Sequence, residues 1–153
     1  KYDSTDIPKG LDQEVALEAL APTKIYVKPL LKLTREAKVK GAVHITGDAY
    51  TKFNNLTNYS RGIGFCFDNF KPQPIFGVIQ QTASELGYSI TDEEMFKTFN
   101  MGWGFGIIID KTDIDKAMDI LEQDCINPQR IGKVTNKERV VEIEYKKKQM
   151  ILS

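Results

Sequence analysis

Helices are predicted where apolar side chains recur every three or four positions along the chain. Six stretches show this spacing or begin with residues that typically cap a helix: residues 12–20, 26–37, 50–56, 74–86, 91–99 and 112–121. Strands are predicted where short β-branched runs or alternating apolar and polar residues occur. Five stretches do so: residues 39–46, 63–67, 107–109, 130–134 and 139–145. The last two of these, joined by residues 135–138, predict an antiparallel hairpin.

The order of these elements predicts the fold class. Strands alternate with long helical crossovers at first, whereas the chain finishes with an antiparallel pair. This order predicts an α+β domain whose mixed β-sheet packs with helices in α/β/α layers. Turn-forming residues near the start predict an N-terminal arm or linker over 1–19, followed by the folded domain over 20–146. The local charge excess of Lys146, Lys147 and Lys148 predicts that residues 147–153 are a solvated basic tail.

Composition limits the classes of partner and the number of cores. With 153 residues, of which 41% are hydrophobic, the chain is expected to form one core. Its 21 basic and 21 acidic residues balance, so binding to nucleic acid or membranes through bulk charge is not expected. No apolar run approaches the roughly 20 residues of a membrane helix, which indicates a soluble, cytoplasmic protein. The first residue is Lys1, so we expect a piece of a longer polypeptide, with processing as the alternative.

Cysteine and histidine are too few and too widely spaced to predict a metal site. The chain has two cysteines, Cys66 and Cys125, and one histidine, His44. Their spacing matches no zinc-binding pattern, so no metal ligand is predicted. Both thiols are expected to be reduced, partly buried packing residues, with a disulfide as the alternative.

Candidate ligand-binding groups lie at and just beyond the end of the predicted strand at residues 39–46. Ligands of sheets whose strands run into helices bind beyond the carboxyl ends of the strands, so His44, Thr46, Gly47 and Asp48 are expected near such an opening. Because imidazole is the side chain that changes charge near neutral pH, His44 is the candidate for proton transfer or ligand contact. The alternatives are a core histidine that hydrogen-bonds to backbone, and an Asp48 that only caps the next helix.

Gly102, Gly104 and Gly106 resemble a phosphate-binding loop only in their spacing. A dinucleotide loop follows a strand and opens a helix, and a Walker loop ends in Lys-Ser/Thr, whereas these glycines follow a helix and open a strand. Close packing against the strand is therefore the favoured interpretation. Lys24 and Lys28 are candidate phosphate contacts, although lone lysines on a helix usually face solvent.

Three separated segments resemble one protein family. They are residues 20–28 (LAPTKIYVK), 39–47 (VKGAVHITG) and 93–102 (EEMFKTFNMG). In this order they resemble the C-terminal domain of aminoimidazole ribonucleotide synthetase, also called phosphoribosylformylglycinamidine cyclo-ligase. Ile131-Gly132 and the predicted terminal hairpin are similar to the end of that domain, so the resemblance covers nearly everything from Leu20 to Tyr145.

The resemblance implies an ATP-dependent ring closure in purine biosynthesis. Such an enzyme converts formylglycinamidine ribonucleotide and ATP into aminoimidazole ribonucleotide, ADP and phosphate, with Mg²⁺ and positive groups stabilising the shifting charge. In this family the upstream domain supplies most ATP and metal ligands and forms the homodimer, while the C-terminal domain helps to hold substrate. The chain alone is therefore expected to be an inactive substrate-side domain whose partner is an N-terminal ATP-binding domain.

The resemblance also implies roles for particular residues in the cleft between the two domains. His44 is carried over as the catalytic residue. The substrate-binding residues carried over are Thr46, Gly47, Asp48, Asn100 and Gly102. Many family members continue the first motif with glycines, whereas this chain has Asp48-Ala49-Tyr50. Since bare N–H groups attract anions and a carboxylate repels them, a non-enzymatic metabolite-binding or regulatory domain on the same scaffold is the alternative.

Overall fold

The computed structural model describes residues 2–69 and 71–152, so Lys1 of the predicted arm and Ser153 of the predicted tail lie outside it, as does Phe70. Within the described residues, helices α1 to α5 are Val15–Ala19, Val27–Glu36, Pro74–Glu85, Asp92–Thr98 and Ile114–Gln123. Two 3₁₀ helices are Ala49–Asn58 and Lys111–Asp113. Strands β1 to β6 are Val39–His44, Gly64–Phe67, Phe105–Ile109, Gly132–Thr135, Val141–Tyr145 and Lys148–Leu152.

The strands divide between two sheets. β1 and β3 form an antiparallel pair, and the other four strands lie in the order β4-β2-β5-β6. Within the larger sheet β2 runs antiparallel to β4 and parallel to β5, while β5 and β6 are antiparallel. The predicted α+β class with mixed strand directions is confirmed.

The predicted hairpin between residues 130–134 and 139–145 is wrong. β4 and β5 both pair with β2, which lies between them. All four residues of β2 are buried, and a strand buried on both faces belongs in the interior of a sheet. The alternating pattern located β4 and β5 correctly, but such a pattern does not specify which strand each one pairs with.

Residues 148–152 form a strand rather than part of a solvated tail. β6 returns along β5 through a turn at Lys146 and Lys147, whose φ angles are 50° and 62°. Two left-handed residues are the geometry of a type I′ hairpin, and Leu152 near its end is 1% exposed. The lysine run therefore marks a turn whose charges stay in water, and the prediction of a basic tail is wrong for these residues.

Two apolar clusters, rather than the single core expected, hold the elements together. The larger joins the four-stranded sheet to the 3₁₀ helix Ala49–Asn58 and to α4, and aromatic rings dominate it: Tyr50, Phe53, Phe65, Phe67 and Phe96. The smaller joins α2 and α5 to the β1–β3 pair through Leu33, Ala117, Ile120 and Leu121. The helical spacing of apolar residues in α2 and α5 thus predicts the faces that pack.

Helix starts follow the local sequence. Thr91 and Glu94 form the predicted capping box of α4, with the Thr91 N–H donating to the Glu94 carboxylate at 2.7 Å. Pro74 opens α3, where a missing N–H costs nothing. The segment before α2 is also ordered: Leu11 is buried, and Val15 donates its N–H to the carbonyl of Asp6 at 3.0 Å.

Candidate functional site

His44 lies at the end of β1 with its ring exposed to solvent. The ring stacks on Phe105 with centroids 5.8 Å apart, and the edge of Tyr26 approaches it at 6.2 Å. The alternative of a core histidine is therefore wrong. Two aromatic neighbours restrict the orientation of the imidazole, while its exposure leaves it accessible to a ligand, as a proton-transfer residue requires.

The turn after β1 adopts the backbone shape that glycines favour. Asp48 and Ala49 have φ angles of 63° and 40°, values that residues with a Cβ adopt at a cost. Glycines would therefore suit the positions that follow the segment 39–47. This chain keeps a left-handed backbone at residues 48 and 49 without glycine. A Cβ at Gly47 would meet nothing within 4 Å, so the turn is open to solvent at this position.

Asp48 does not cap the following helix with its side chain. No side-chain cap bond is formed at this position, and the residue contributes its backbone carbonyl instead, which accepts from the N–H of Thr51 at 3.0 Å. The Asp48 side chain is exposed. The capping alternative is wrong for the carboxylate, which stands beside the turn as a negative charge.

Lys52 is a residue of this site that the sequence analysis missed. Its ammonium group donates a hydrogen bond to the hydroxyl of Thr46. The 3₁₀ helix Ala49–Asn58 brings the two together by turning the chain back over the end of β1. A lysine six residues after a threonine gives no local signal, because the contact depends on the 3₁₀ geometry and on the left-handed turn.

Tyr50 connects the two groups of residues that the resemblance assigned to substrate. Its hydroxyl donates to the backbone carbonyl of Asn100 at 2.7 Å, and the ring packs in the larger core. Burial raises the pKa of Tyr50 well above its usual value, so the hydroxyl stays protonated and able to donate. The turn after β1 and the turn at residues 100–102 are thereby held together.

The turn at residues 100–102 is held by the Asn100 side chain and contains two residues with positive φ angles. The Asn100 amide oxygen accepts from the N–H of Gly102 at 2.9 Å. Met101 and Gly102 have φ angles of 55° and 102°, and a Cβ at Gly102 would lie 2.6 Å from the Gln73 side chain. These contacts give Asn100 and Gly102 a structural role, while their contact with substrate stays a prediction.

Gly104 and Gly106 provide room for aromatic side chains. A Cβ at Gly104 would overlap the Tyr26 hydroxyl, and one at Gly106 would lie 2.5 Å from the Phe53 ring. The close-packing interpretation is confirmed, with side chains rather than helix backbone as the neighbours. Tyr26, Phe53 and both glycines line the cleft that is described next.

A cleft of about 930 Å³ runs beside β3. Gly102, Tyr26 and Phe105 contribute to its walls, whereas His44, Thr46, Gly47, Asp48 and Asn100 do not. The structure therefore divides the predicted site residues: most of them form an exposed surface next to the cleft, and the rings of Tyr26 and Phe105 separate His44 from it.

The two cysteines are free thiols in different surroundings. Cys66 is buried in β2, where burial and the nearby Glu144 carboxylate raise the pKa of its thiol. Cys125 is exposed, so the prediction of a partly buried packing residue is wrong for it. No group of three His, Cys, Asp or Glu side chains in residues 2–69 and 71–152 is placed to hold a metal ion. Over the same residues no helix is long and apolar enough to cross a membrane.

Comparison with known proteins shows what the chain is similar to. It is 42% identical over 148 residues to the phosphoribosylformylglycinamidine cyclo-ligase of Methanococcus maripaludis strain C5, which covers 90% of this chain and 40% of that protein. The enzyme of the same name from Methanocaldococcus jannaschii is 43% identical over 125 residues, covering 80% of this chain and 33% of that protein. That of Caldicellulosiruptor saccharolyticus is 37% identical over 133 residues, covering 85% and 37%.

The family match covers the two turns of the candidate site and strands β1 to β4, and it ends within β5. The chain spans about 40% of the length of the first of these relatives, so the relatives contain a larger part that lies outside the match. The sequence profile of the family "AIR synthase related protein, C-terminal domain" matches residues 3–144, which include every residue of the candidate site. The chain therefore belongs to the AIR synthase related protein family, as its C-terminal domain.

Proposed function

We propose that the chain is the substrate-side domain of an ATP-dependent phosphoribosylformylglycinamidine cyclo-ligase of purine biosynthesis. The observation that carries the proposal is the 42% identity over 148 residues to the Methanococcus maripaludis enzyme of that name. Formylglycinamidine ribonucleotide is the proposed substrate and aminoimidazole ribonucleotide the product. The complete enzyme is proposed to be a cytoplasmic homodimer, and the chain alone to be inactive.

Thr46, Gly47 and Lys52 are proposed to hold the phosphate of the ribonucleotide. The Lys52 ammonium lies against the Thr46 hydroxyl, so a positive charge and a hydroxyl donor stand together. The open space at Gly47 allows an anion to approach the backbone closely. The exposed Asp48 carboxylate opposes this binding through its charge. Asn100 and Gly102 are proposed to contact the same substrate from the neighbouring turn.

His44 is proposed to handle the proton that ring closure releases. The amidine nitrogen attacks the formyl carbon, the activated formyl oxygen leaves, and the nitrogen must lose a proton. An exposed imidazole held against Phe105 and Tyr26 is oriented to accept this proton. The role requires that substrate bind over the exposed face of the ring.

ATP and Mg²⁺ are assigned to the part of the enzyme that lies outside the match. In the described residues no cluster of carboxylates or imidazoles fits a metal ion, and the glycines at 102–106 accommodate side chains rather than a phosphate. This chain's residues therefore do not fit an ATP–magnesium site, and none of the roles proposed for them passes through one.

Calorimetric titration of the chain with aminoimidazole ribonucleotide tests the binding step. Lys52→Met is expected to weaken binding by about 10- to 150-fold, because a hydrogen bond to a charged group is worth about 1.5–3 kcal/mol. His44→Ala is expected to weaken it as well. Lys9→Met, which removes an exposed lysine outside the motif, is the control. Absence of binding, or equal losses in the control, would contradict the proposal.

A fusion tests catalysis and the non-enzymatic alternative together. The chain is joined to the unmatched upstream part of the Methanococcus maripaludis enzyme, and ATP-dependent formation of aminoimidazole ribonucleotide is measured. Turnover that His44→Ala abolishes supports the enzyme. Ribonucleotide binding by a folded fusion that has no turnover favours the metabolite-binding or regulatory domain instead.

A further inference from the structure

The cleft beside β3 carries positive charge that no carboxylate in its described lining balances. Its volume of about 930 Å³ lies in the range of small-molecule sites. One of its lysines, Lys133, pairs with Asp68 at 2.7 Å. The other cations of the lining form no ion pair and no side-chain hydrogen bond within the described residues: Lys24, Lys71, Lys111 and Arg130. The cleft therefore favours an anionic ligand.

Aromatic rings form a floor and a wall of this cleft. The Phe53 ring lies 2.5 Å from the position of an added Cβ at Gly106 of β3, and its centroid is 4.8 Å from that of Phe67 in β2. This ring thus bridges the two strands and closes the cleft below. The rings of Tyr26 and Phe105, with centroids 5.1 Å apart, line one side. Such surfaces favour a ligand that carries a flat ring, because rings stack on rings.

Lys71 and Arg130 lie together at the carboxyl end of β2. The side-chain N–H of Asn69, two residues after β2, donates to the carbonyl of Arg130 at 2.8 Å. Gln129 in turn donates its side-chain N–H to the carbonyl of Asn69 at 3.1 Å. Lys71 follows Asn69 by two residues, which span at most about 7 Å of chain. The end of a strand that leads into a helix, as β2 leads into α3, is a usual place for ligands.

Trp103 adds an unpaired hydrogen-bond donor to the same end of the cleft. Gln73, two residues after Lys71, donates its backbone N–H to the carbonyl of Met101 at 3.1 Å. Its side chain packs against Gly102, where an added Cβ would lie 2.6 Å away. The indole N–H of the next residue, Trp103, lines the cleft and is buried without a partner among the described residues. Because a buried donor without an acceptor costs free energy, an acceptor on a ligand would stabilise it.

We propose that this end of the cleft binds a nucleoside monophosphate, at a site separate from the one proposed at Thr46 and Lys52. Lys71 and Arg130 hold the phosphate through charge-assisted hydrogen bonds. The Trp103 indole donates to an acceptor atom of the heterocyclic base, which packs among the aromatic rings. The inference goes beyond the proposed function, because none of these three side chains has a role in ring closure.

A nucleotide accounts for all three features of the site, whereas simpler ligands account for only some. Inorganic phosphate would pair with the cations but would leave the indole and the aromatic rings without contacts. A neutral aromatic compound would stack but would leave two positive charges unbalanced. A phosphate monoester carries a charge of about −1.5 to −2 at neutral pH, which matches the combined charge of Lys71 and Arg130.

The indole N–H provides a direct readout, because Trp103 is the only tryptophan of the chain. The probe is adenosine 5′-monophosphate, titrated by NMR into the full chain carrying Lys52→Met, so that the site proposed for substrate does not contribute. The single indole signal is expected to move downfield, and its exchange with water to slow, as a new hydrogen bond forms. Adenosine and inorganic phosphate, the two halves of the probe, are expected to bind at least about tenfold more weakly.

Neutral substitutions at the cations provide a matched set. Arg130→Met and Lys71→Met, at exposed side chains, are each expected to weaken binding of the probe by at least about tenfold, the low end for a hydrogen bond to a charged group. Lys111→Met is the control, since this exposed lysine lines the same cleft but follows β3, whereas Trp103 precedes it. The five residues of β3 span about 17 Å, so this variant is expected to bind normally.

Trp103→Phe keeps a ring but removes the donor. It is expected to weaken binding by about 2- to 13-fold, the net effect of one hydrogen bond.

Three results would overturn the site: the probe leaves the indole signal unchanged, Lys111→Met weakens binding as much as Arg130→Met, or inorganic phosphate binds as tightly as the probe. Binding of aminoimidazole ribonucleotide but not of adenosine 5′-monophosphate, abolished by Arg130→Met, would also overturn it by placing the substrate in the cleft. Failure of Lys52→Met to affect ribonucleotide binding leaves the indole result unaffected, so the two proposals fail separately.

Discussion

The hydroxyl of Tyr50 donates a 2.7 Å hydrogen bond to the backbone carbonyl of Asn100. This contact ties the turn after β1 to the turn before β3, two segments that lie 50 residues apart in sequence. The relative position of His44 and Gly102, both proposed above as site residues, therefore depends on the buried side chain of Tyr50. Stability of the fold and geometry of the site are coupled through this residue.

Tyr50→Phe is predicted to destabilise the chain by about 0.5–1.5 kcal/mol, the net contribution of one hydrogen bond. The substitution keeps the ring in the core and removes the hydroxyl donor, while the Asn100 carbonyl keeps the hydrogen bond from the Trp103 N–H at 2.9 Å. Chemical denaturation measures the change. Tyr59→Phe, at a tyrosine that is 89% exposed, is the control. Equal stability of the Tyr50→Phe variant and the parent would show that the hydrogen bond contributes nothing.

Gly106→Ala is predicted to destabilise by about 1–3 kcal/mol, the usual cost of overpacking. The added Cβ would lie 2.5 Å from the Phe53 ring, which is buried in the core and has little room to shift. Gly77→Ala, in the interior of α3 where nothing lies within 4 Å, is expected to stabilise by about 0.5–1 kcal/mol. Thermal unfolding of both variants checks the prediction, and a shift of equal sign in the two would refute it.

Asp48→Asn is predicted to strengthen binding of aminoimidazole ribonucleotide with little change in stability. Asparagine tolerates the left-handed backbone as aspartate does, while the repelling charge beside Lys52 and Thr46 disappears. Asp48→Gly adds relief of the φ angle of 63° and is expected to raise stability by a few tenths of a kcal/mol to about 1 kcal/mol. Titration calorimetry and denaturation separate the two effects. Weaker binding in both variants would instead assign the carboxylate a positive role in binding.

Asp110 is predicted to contribute to stability above pH 4 and to lose that contribution in acid. The Lys40 ammonium and the hydrogen bonds from Thr112 lower the pKa of Asp110 from 3.8 to about 2. Because the folded state holds the proton less tightly than the unfolded state, stability is lost as the pH falls from about 4 toward about 2. Asp110→Asn should flatten the pH dependence of unfolding in this window.

The control for that titration is Asp115→Asn, which changes an exposed carboxylate on the neighbouring helix α5. Its acid profile should match that of the parent chain. If Asp110→Asn and the parent lose stability in parallel between pH 4 and pH 2, the ion pair with Lys40, 3.0 Å long, does not act in folding.

Local signals in the sequence predicted most elements but not their pairing. The capping box of Thr91 and Glu94 and the β-branched run before Asp110 act within a few residues, so the chain encodes them directly. The position of β2 between β4 and β5 depends on residues far apart in sequence. β6 was not predicted, because three consecutive lysines are typical of a solvated segment. The hairpin turn at these lysines is recognised only from the structure, in which Leu152 is buried.

The candidate site divides in the same way. His44 and Thr46 were found because a strand end followed by polar groups is a local pattern. The contact between Lys52 and Thr46 was not found, because it depends on the left-handed turn at Asp48 and Ala49. The residue types at these two positions do not predict such a turn. The cleft beside β3 is lined by residues of β3 and β4, which are 23 or more residues apart in the chain, beyond the reach of any short motif.

The placement of β6 has a consequence for synthesis on the ribosome. Leu152 and Ile143 close the same aromatic cluster that Tyr50 and Phe65 begin, so the nascent polypeptide cannot complete its interior until β6 has left the exit tunnel. Until then β5 has no neighbour on its outer side, and a growing chain stalled before Lys148 would expose that strand to chaperones.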